Sequence, residues 1–318
     1  MKKYFALVLI AVLLCQILPS AFADDAEDFQ KIIGEDTVSE AENTDEIMIA
    51  DVPYLDDGNE DHLMDLFGVE QAKEPTPLVV EVHGGGYIGG NKSINTDHSL
   101  FYEENGYLVV APNYTHLPAG TFKTALQDLF ACYNWVAEHA EEYHFDLDRV
   151  ALSGDSAGGY YVLLTAAVMN SEELQTWFEV TKPAFDFCAY VASCPGTDVM
   201  DIRNGFGQSG PAGYMAGKIG EEILMDDELM NHCDLYSIVD GGTYPFIYMV
   251  TTPGDVTTGS ETLKYDAFLT ELGVAHELHS YEDEGSGLVH VFNITKMAYP
   301  ESIKANEDIV AYLNSICF

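Results

Sequence analysis

Gly154-Asp155-Ser156-Ala157-Gly158 sets a serine between glycines two residues before and two after it. In that spacing the hydroxyl sits on a tight strand-to-helix turn, where larger flanking side chains collide with the neighbouring strand or helix. Its chemistry is attack on a carbonyl carbon once a base takes the proton. A helix opening at Ala157 aims its N-terminal amides and positive dipole end at the anion that forms. His83-Gly84-Gly85-Gly86-Tyr87 supplies a second piece. Glycines there bring backbone N–H groups close to a substrate oxygen, and together with the amide of Ala157 they would build an oxyanion hole. Alone this motif reads equally well as a glycine-rich turn. Followed by the serine motif, it becomes specific.

A serine nucleophile needs a base, and the base needs an acid to orient it. The chain has ten histidines. His83 belongs to the glycine motif, His62 to an early strand, and His276 and His279 lie in or beside a late strand. His98, His116, His139, His144 and His232 fall in loops or on helix faces. His290 lies in the loop 285–292, past the last strand and before the final helix, and is the candidate base. Two aspartates compete for the acid. Asp255 follows an apolar run in Pro253-Gly254-Asp255, and Asp198 follows an earlier one.

These residues need a rigid frame. Residues 47–54 and 62–69 read as two strands around an acidic turn containing Asp57-Gly58. Short apolar runs at 78–82, 107–111, 150–153, 188–193 and 246–251 fit buried parallel strands, and 277–281 continues the series. Helical stretches at 122–143, 157–169, 261–272 and 302–315 fall among or after them. Strands alternating with helices predict an α/β fold with a mostly parallel sheet covered on both faces. Residues 201–239 interrupt the rhythm, with six glycines from Gly205 to Gly220 and then an acidic segment holding Met225 and Met230. This is an insertion after a strand, suited to capping a site or to forming a plain surface loop.

The chain of 318 residues is long enough for one large domain, and 47% hydrophobic residues supply its core. Its start resembles an export signal: Lys2 and Lys3, an apolar stretch from Tyr4 to Leu18 broken only by Gln16, then Ala21-Phe22-Ala23. Bulky Leu13 and Leu14 before Cys15 argue against a lipid-modified cysteine. Cleavage after Ala23 is expected, with residues 24–46 an acidic leader and 47–318 the folded domain. Loss of Lys2 and Lys3 takes the formal charge from −40 to −42. Such a surface repels nucleic acid and anionic membranes. With only Arg149 and Arg203, an arginine clamp for an anionic substrate is not expected. Cys132, Cys188, Cys194, Cys233 and Cys317 show no metal-ligand spacing, and their pairing cannot be read from spacing.

Taken together, the residues resemble the esterase/lipase branch of the α/β-hydrolase superfamily, the group similar to hormone-sensitive lipase that includes small carbohydrate esterases. The resemblance rests on His83-Gly84-Gly85-Gly86, Asn113-Tyr114, Asp128, Gly154-Asp155-Ser156-Ala157-Gly158-Gly159, Gly254-Asp255 and His290-Val291-Phe292. It implies Ser156, Asp255 and His290 as the triad, with Gly84, Gly85 and Ala157 as oxyanion donors and no cofactor or metal. Two stretches depart from the family pattern. The approach to His290, residues 283–289, is longer and more acidic, and Asp255-Val256-Thr257-Thr258 lacks an apolar or proline-containing continuation. The expected function is exported hydrolysis of small, neutral acyl or aryl esters, on small molecules or on plant polysaccharides. A peptidase with the same triad, or a binding protein that has kept the fold, are the rival readings. Oligomeric state is not legible.

Overall fold

The structure is a computed structural model that describes residues 48–317. The expected signal peptide and the whole of the acidic leader lie outside these residues. Eight strands form one sheet: β1 (Met48–Pro53), β2 (Leu63–Phe67), β3 (Thr76–Val82), β4 (Leu108–Pro112), β5 (Phe145–Asp155), β6 (Phe187–Ser193), β7 (Ile247–Thr251) and β8 (His276–Ser280). Their order is β1-β2-β4-β3-β5-β6-β7-β8. The β1–β2 and β2–β4 pairs are antiparallel, and all pairs from β4 through β8 are parallel. β1, at one edge, carries a register shift between Ile49 and Val52, with Asp51 at φ +58°. Lys92 pairs there with both Asp51 (2.8 Å) and Asp65 (2.7 Å).

The central strands are apolar on both faces because both faces are covered. On β3, Leu78, Val80 and Val82 enter one core with Val110 and Leu152, beneath α2 (Phe122–Glu138) and α3 (Ala157–Met169). Val79 points the other way, into a second core with Val109, Ala151 and Val191. That core is closed by α1 (Thr96–Glu104) and by α5 (Pro300–Cys317), while α4 (Gly259–Leu272) joins β7 to β8. Every residue of α3 is buried, as expected for a helix that is apolar all round.

Most boundaries fall within two residues of the sequence expectation, and two differ by five. The stretch 122–143 breaks at His139 into Phe122–Glu138 and Ala140–Tyr143. β5 begins five residues earlier than the apolar run. α1 carries no apolar stripe because its buried residues are His98, Ser99 and Tyr102. They face a polar patch instead: His98 and Ser99 both bond the buried carboxylate of Glu81, and Tyr102 meets Ser153 at 3.1 Å.

The insertion is mostly helical, with short helices Val199–Asn204, Pro211–Ile219, Glu221–Leu224, Asp227–Cys233 and Leu235–Ile238 and turns at 205–210. Ala216, Ile219, Leu224 and Met230 are buried in the first core, while Met225 is exposed. Tyr160 of α3 donates to the Cys233 carbonyl at 2.7 Å and ties the insertion to the helix behind the nucleophile.

Candidate active site

Ser156 stands between β5 and α3 with φ +51° and ψ −117°, a conformation a non-glycine residue holds only when its surroundings enforce it. Its N–H donates to Ser193 O (2.9 Å), and its carbonyl accepts from Tyr160 (3.0 Å) and Gly196 (3.1 Å). The flanking glycines are explained by contact. A Cβ on Gly154 would lie 2.8 Å from Gly158 C and 2.9 Å from Val82 O, and one on Gly158 would run into the carbonyls of Val82 and His83. The helix therefore starts hard against the end of β3, which is what brings the His83 loop beside the serine.

His290, after β8, places Nε2 2.9 Å from Ser156 Oγ. Its Nδ1 lies 3.0 Å from Asp255 Oδ2 and 3.3 Å from Thr258 Oγ1. Asp255, after β7, is itself held in place. Oδ1 accepts from the amides of Thr257 (2.9 Å) and Thr258 (3.0 Å), and Thr258 Oγ1 lies 2.9 Å from Oδ2. Burial pushes the carboxyl's pKa up, but His290 and the Thr258 donors outweigh it and hold it at about 2. The residues after Asp255 that depart from the family pattern are thus the ones that bind its carboxylate.

Asp198 is placed elsewhere. It caps the helix Val199–Asn204 by accepting from Asp201 N (2.9 Å), pairs with Lys264, and donates its own N–H to Glu261 Oε2 (2.9 Å). The structure brings Asp255, and not Asp198, to His290. The other histidines are engaged away from Ser156: His276 with Asp266, His279 with Glu277, and His232 stacked on Trp177 at 3.9 Å.

The His83 loop requires one correction. Gly84 N donates to Asp155 Oδ1 at 3.0 Å, so this amide is turned to the carboxylate beside the nucleophile and away from a substrate oxygen. Asn95 Nδ2 bonds the same oxygen at 2.8 Å. The amides of Gly85 and Gly86 have no such partner among the described residues, and Ala157 opens α3, where N–H groups lack intrahelical acceptors. Gly85 has φ +131°, and a Cβ there would strike Gly89 O, so only glycine fits the turn. His83 is buried, stacks on Tyr114 at 4.5 Å and lies 2.6 Å from Gly84 O through Nδ1. Burial drives its pKa down to about 3, which keeps it a neutral donor. Tyr114, quoted above for the resemblance, donates to His83 O (2.9 Å), and Asp128 accepts from Thr115 N (2.9 Å).

Sequence reasoning missed Asn95, Thr258 and Cys194. Cys194 follows β6 at φ +47°, and its sulfur lies with the Asp255 and His290 ligand atoms inside a 4.8 Å span, a spacing that could hold a metal. Burial raises the thiol pKa well above its ordinary value, and the other two groups are bonded to each other, so the thiolate a metal requires is disfavoured. The loop 283–289 is acidic because its carboxylates fold it. Asp283 accepts from the amides of Gly285 (2.8 Å) and Gly287 (3.0 Å).

An eight-stranded, mostly parallel sheet with a serine at the β5 elbow and an assembled Ser-His-Asp set is an α/β-hydrolase of the serine-triad type. The chain belongs to the BD-FAE family, whose profile matches residues 64–255. It is similar to the probable carboxylic ester hydrolase LipM of Mycobacterium tuberculosis, 33% identical over 138 residues that cover 41% of this chain and 30% of the relative. Lipase 2 of a Moraxella species is 39% identical over 87 residues, 26% of this chain and 20% of that protein. The chain therefore spans less than a third of the length of these relatives. Among solved structures, esterase B from Lactobacillus rhamnosis superposes with a TM-score of 0.76 at 25% identity, covering 85% of this chain and 86% of that one.

Proposed function

We propose that this chain is an exported serine carboxylesterase that works through an acyl-enzyme on small, neutral esters. The observation that carries the proposal is the unbroken line from Asp255 Oδ2 to His290 Nδ1 (3.0 Å) and from His290 Nε2 to Ser156 Oγ (2.9 Å). With Nδ1–H donated to Asp255, Nε2 is free to accept the serine proton as Oγ attacks the ester carbonyl. The carboxylate stabilises the imidazolium, which then protonates the leaving alcohol. Water, activated by the same imidazole, releases the acid and restores Ser156. Amides of Gly85, Gly86 and Ala157 are the donors available to the oxyanion.

The relatives' descriptions as an ester hydrolase, a lipase and an esterase support ester over amide chemistry. The assembled triad counts against a purely binding role. The formal charge of −40 supports neutral substrates, including acyl or aryl groups on plant polysaccharides, over anionic ones. A fluorophosphonate probe tests the core of the reading. The folded protein should be labelled and Ser156→Ala should not; labelling that survives the substitution refutes the assignment.

A further inference from the structure

Three of the cysteines sit singly in the interior. Cys132 faces Met64 Sδ at 3.7 Å, Cys194 lies beside Asp255, and the Cys233 carbonyl holds Tyr160. Cys188 and Cys317 are different. They are 129 residues apart in sequence, yet their sulfurs are 2.8 Å apart as free thiols. A small side-chain adjustment reaches the bonded separation of about 2.05 Å. Cys188 lies near the start of β6 and is half-buried, whereas Cys317 is buried at the end of α5. Arg149 Nη1 donates to the Cys317 carbonyl at 3.4 Å.

The position matters because of what α5 does at its other end. Glu301 accepts from Glu284 N (3.0 Å) and Ser286 Oγ (2.8 Å), within the loop that leads to His290. Ser302 Oγ donates to Phe292 O (3.0 Å), and Asn306 Nδ2 to Asn293 O (2.7 Å). The helix is a strut with the His290 loop bonded to its first turns and the thiol pair at its last.

We propose that Cys188 and Cys317 form an intramolecular disulfide when the chain meets a disulfide oxidant, stapling the end of α5 to β6. The thiolate of the pair attacks one sulfur of the oxidant, whose S–S bond breaks and expels a thiolate. The second protein sulfur then attacks the first in the mixed disulfide and expels the second oxidant thiolate. Two protein thiols lose two electrons in all, the oxidant disulfide gains them, and the two protein protons end on the released thiols. In the reduced pair the Cys188 hydrogen bond lowers the Cys317 thiol pKa, and Arg149 adds to this against burial.

The test uses the full chain incubated with oxidised glutathione or with dithiothreitol, then denatured, alkylated and peptide-mapped. The oxidised protein should be about 2 Da lighter by this bond, with the Cys188 and Cys317 peptides linked and Cys132, Cys194 and Cys233 alkylated. Its thermal midpoint should exceed that of the reduced protein by about 5 °C or more, because a long loop is closed. That difference should vanish in both Cys188→Ala and Cys317→Ser. Full alkylation of both residues after oxidation overturns the proposal, as does Cys188 mapped to glutathione or to another cysteine. A linked pair with no change in midpoint overturns the staple. The peptide map on the unaltered chain decides the bond even if a variant fails to fold.

Discussion

The two halves of the site are built by different forces. On the nucleophile side, β3, β5 and α3 meet so closely that glycine is the residue that fits at 154 and 158, and Ser156 is held in place by its neighbours. On the acid–base side, the loops after β7 and β8 are held by hydrogen bonds: Asp255 by the Thr257 and Thr258 amides, and the approach to His290 by Asp283 and Glu301. The carboxylates show the same contrast. Asp155, buried on the nucleophile side, has its pKa raised by desolvation to about 6 despite the Asn95 and Gly84 donors. Asp255, also buried, has enough donors to go down to about 2. One side excludes charge and is shaped by packing, while the other stabilises charge and is shaped by polar contact.

The sharpest test of the polar half is Asp255→Asn. The fold should survive, but kcat should fall by on the order of 10³–10⁴-fold, because the amide selects the wrong imidazole tautomer. Steady-state kinetics with circular dichroism measure both parts; a loss under tenfold would deny Asp255 its role.

The packed half should answer to Asp155→Ala, which frees the Gly84 amide and lets the His83 loop shift. A fall in kcat of about 10²-fold with little change in KM is expected, the size of one misplaced oxyanion donor. Asp155→Asn, which keeps an acceptor for Gly84 and Asn95, should restore most of it. Equal losses in the two variants would mean that charge at 155 matters and the tether does not.

Acid unfolding separates the two carboxylates by sign. Asp255 has a lowered folded pKa, so its contribution is present above the unfolded value and is lost as pH falls from about 4 to 2, worth about 2 kcal/mol. Asp155 has a raised one, so the stability of its protonated form is present below about 4 and lost as pH rises through about 6. Denaturant titrations should therefore show Asp155→Asn gaining on the unaltered protein between pH 4 and 7. A constant difference across that range would contradict the burial argument.

The smallest effect is expected from Asp198→Asn, below about tenfold in kcat, or at most roughly 1.4 kcal/mol of barrier. The cap on Val199–Asn204 and the Lys264 pair weaken, but His290 is untouched. A loss matching that of Asp255→Asn would mean that both acids serve the base.

How much of this was legible in the sequence follows from the same division. Residues fixed by sterics leave a local pattern: Gly154 and Gly158 flank Ser156 wherever the elbow forms, and the apolar strands announce themselves. Residues fixed by long-range polar contact do not. Nothing near Asn95 indicates that it meets Asp155 sixty residues on, and the polar buried face of α1 has no apolar period to detect. Asp198 and Asp255 both follow strands, and only the packing of loops decides which one reaches His290. Gly84 looked like an oxyanion donor because three adjacent glycines are indistinguishable by type. Its contact with Asp155 tells them apart. The expectation for 201–239 left a cap and a bare loop open; the chain there forms five short helices, tied to α3 where Tyr160 meets the Cys233 carbonyl.

The bulge in β1 bears on how copies of the chain meet one another. A flat, regular edge strand offers a row of N–H and C=O groups to any other strand, and so invites self-association through the backbone. Here the edge is interrupted at Asp51, whose left-handed backbone puts the ladder out of step, and Lys92 fastens the irregularity to Asp65. Another molecule's strand cannot zip along β1 without first breaking that ion pair. The irregular edge is therefore a poor template for backbone pairing with another copy, a protection separate from the repulsion that the net charge supplies.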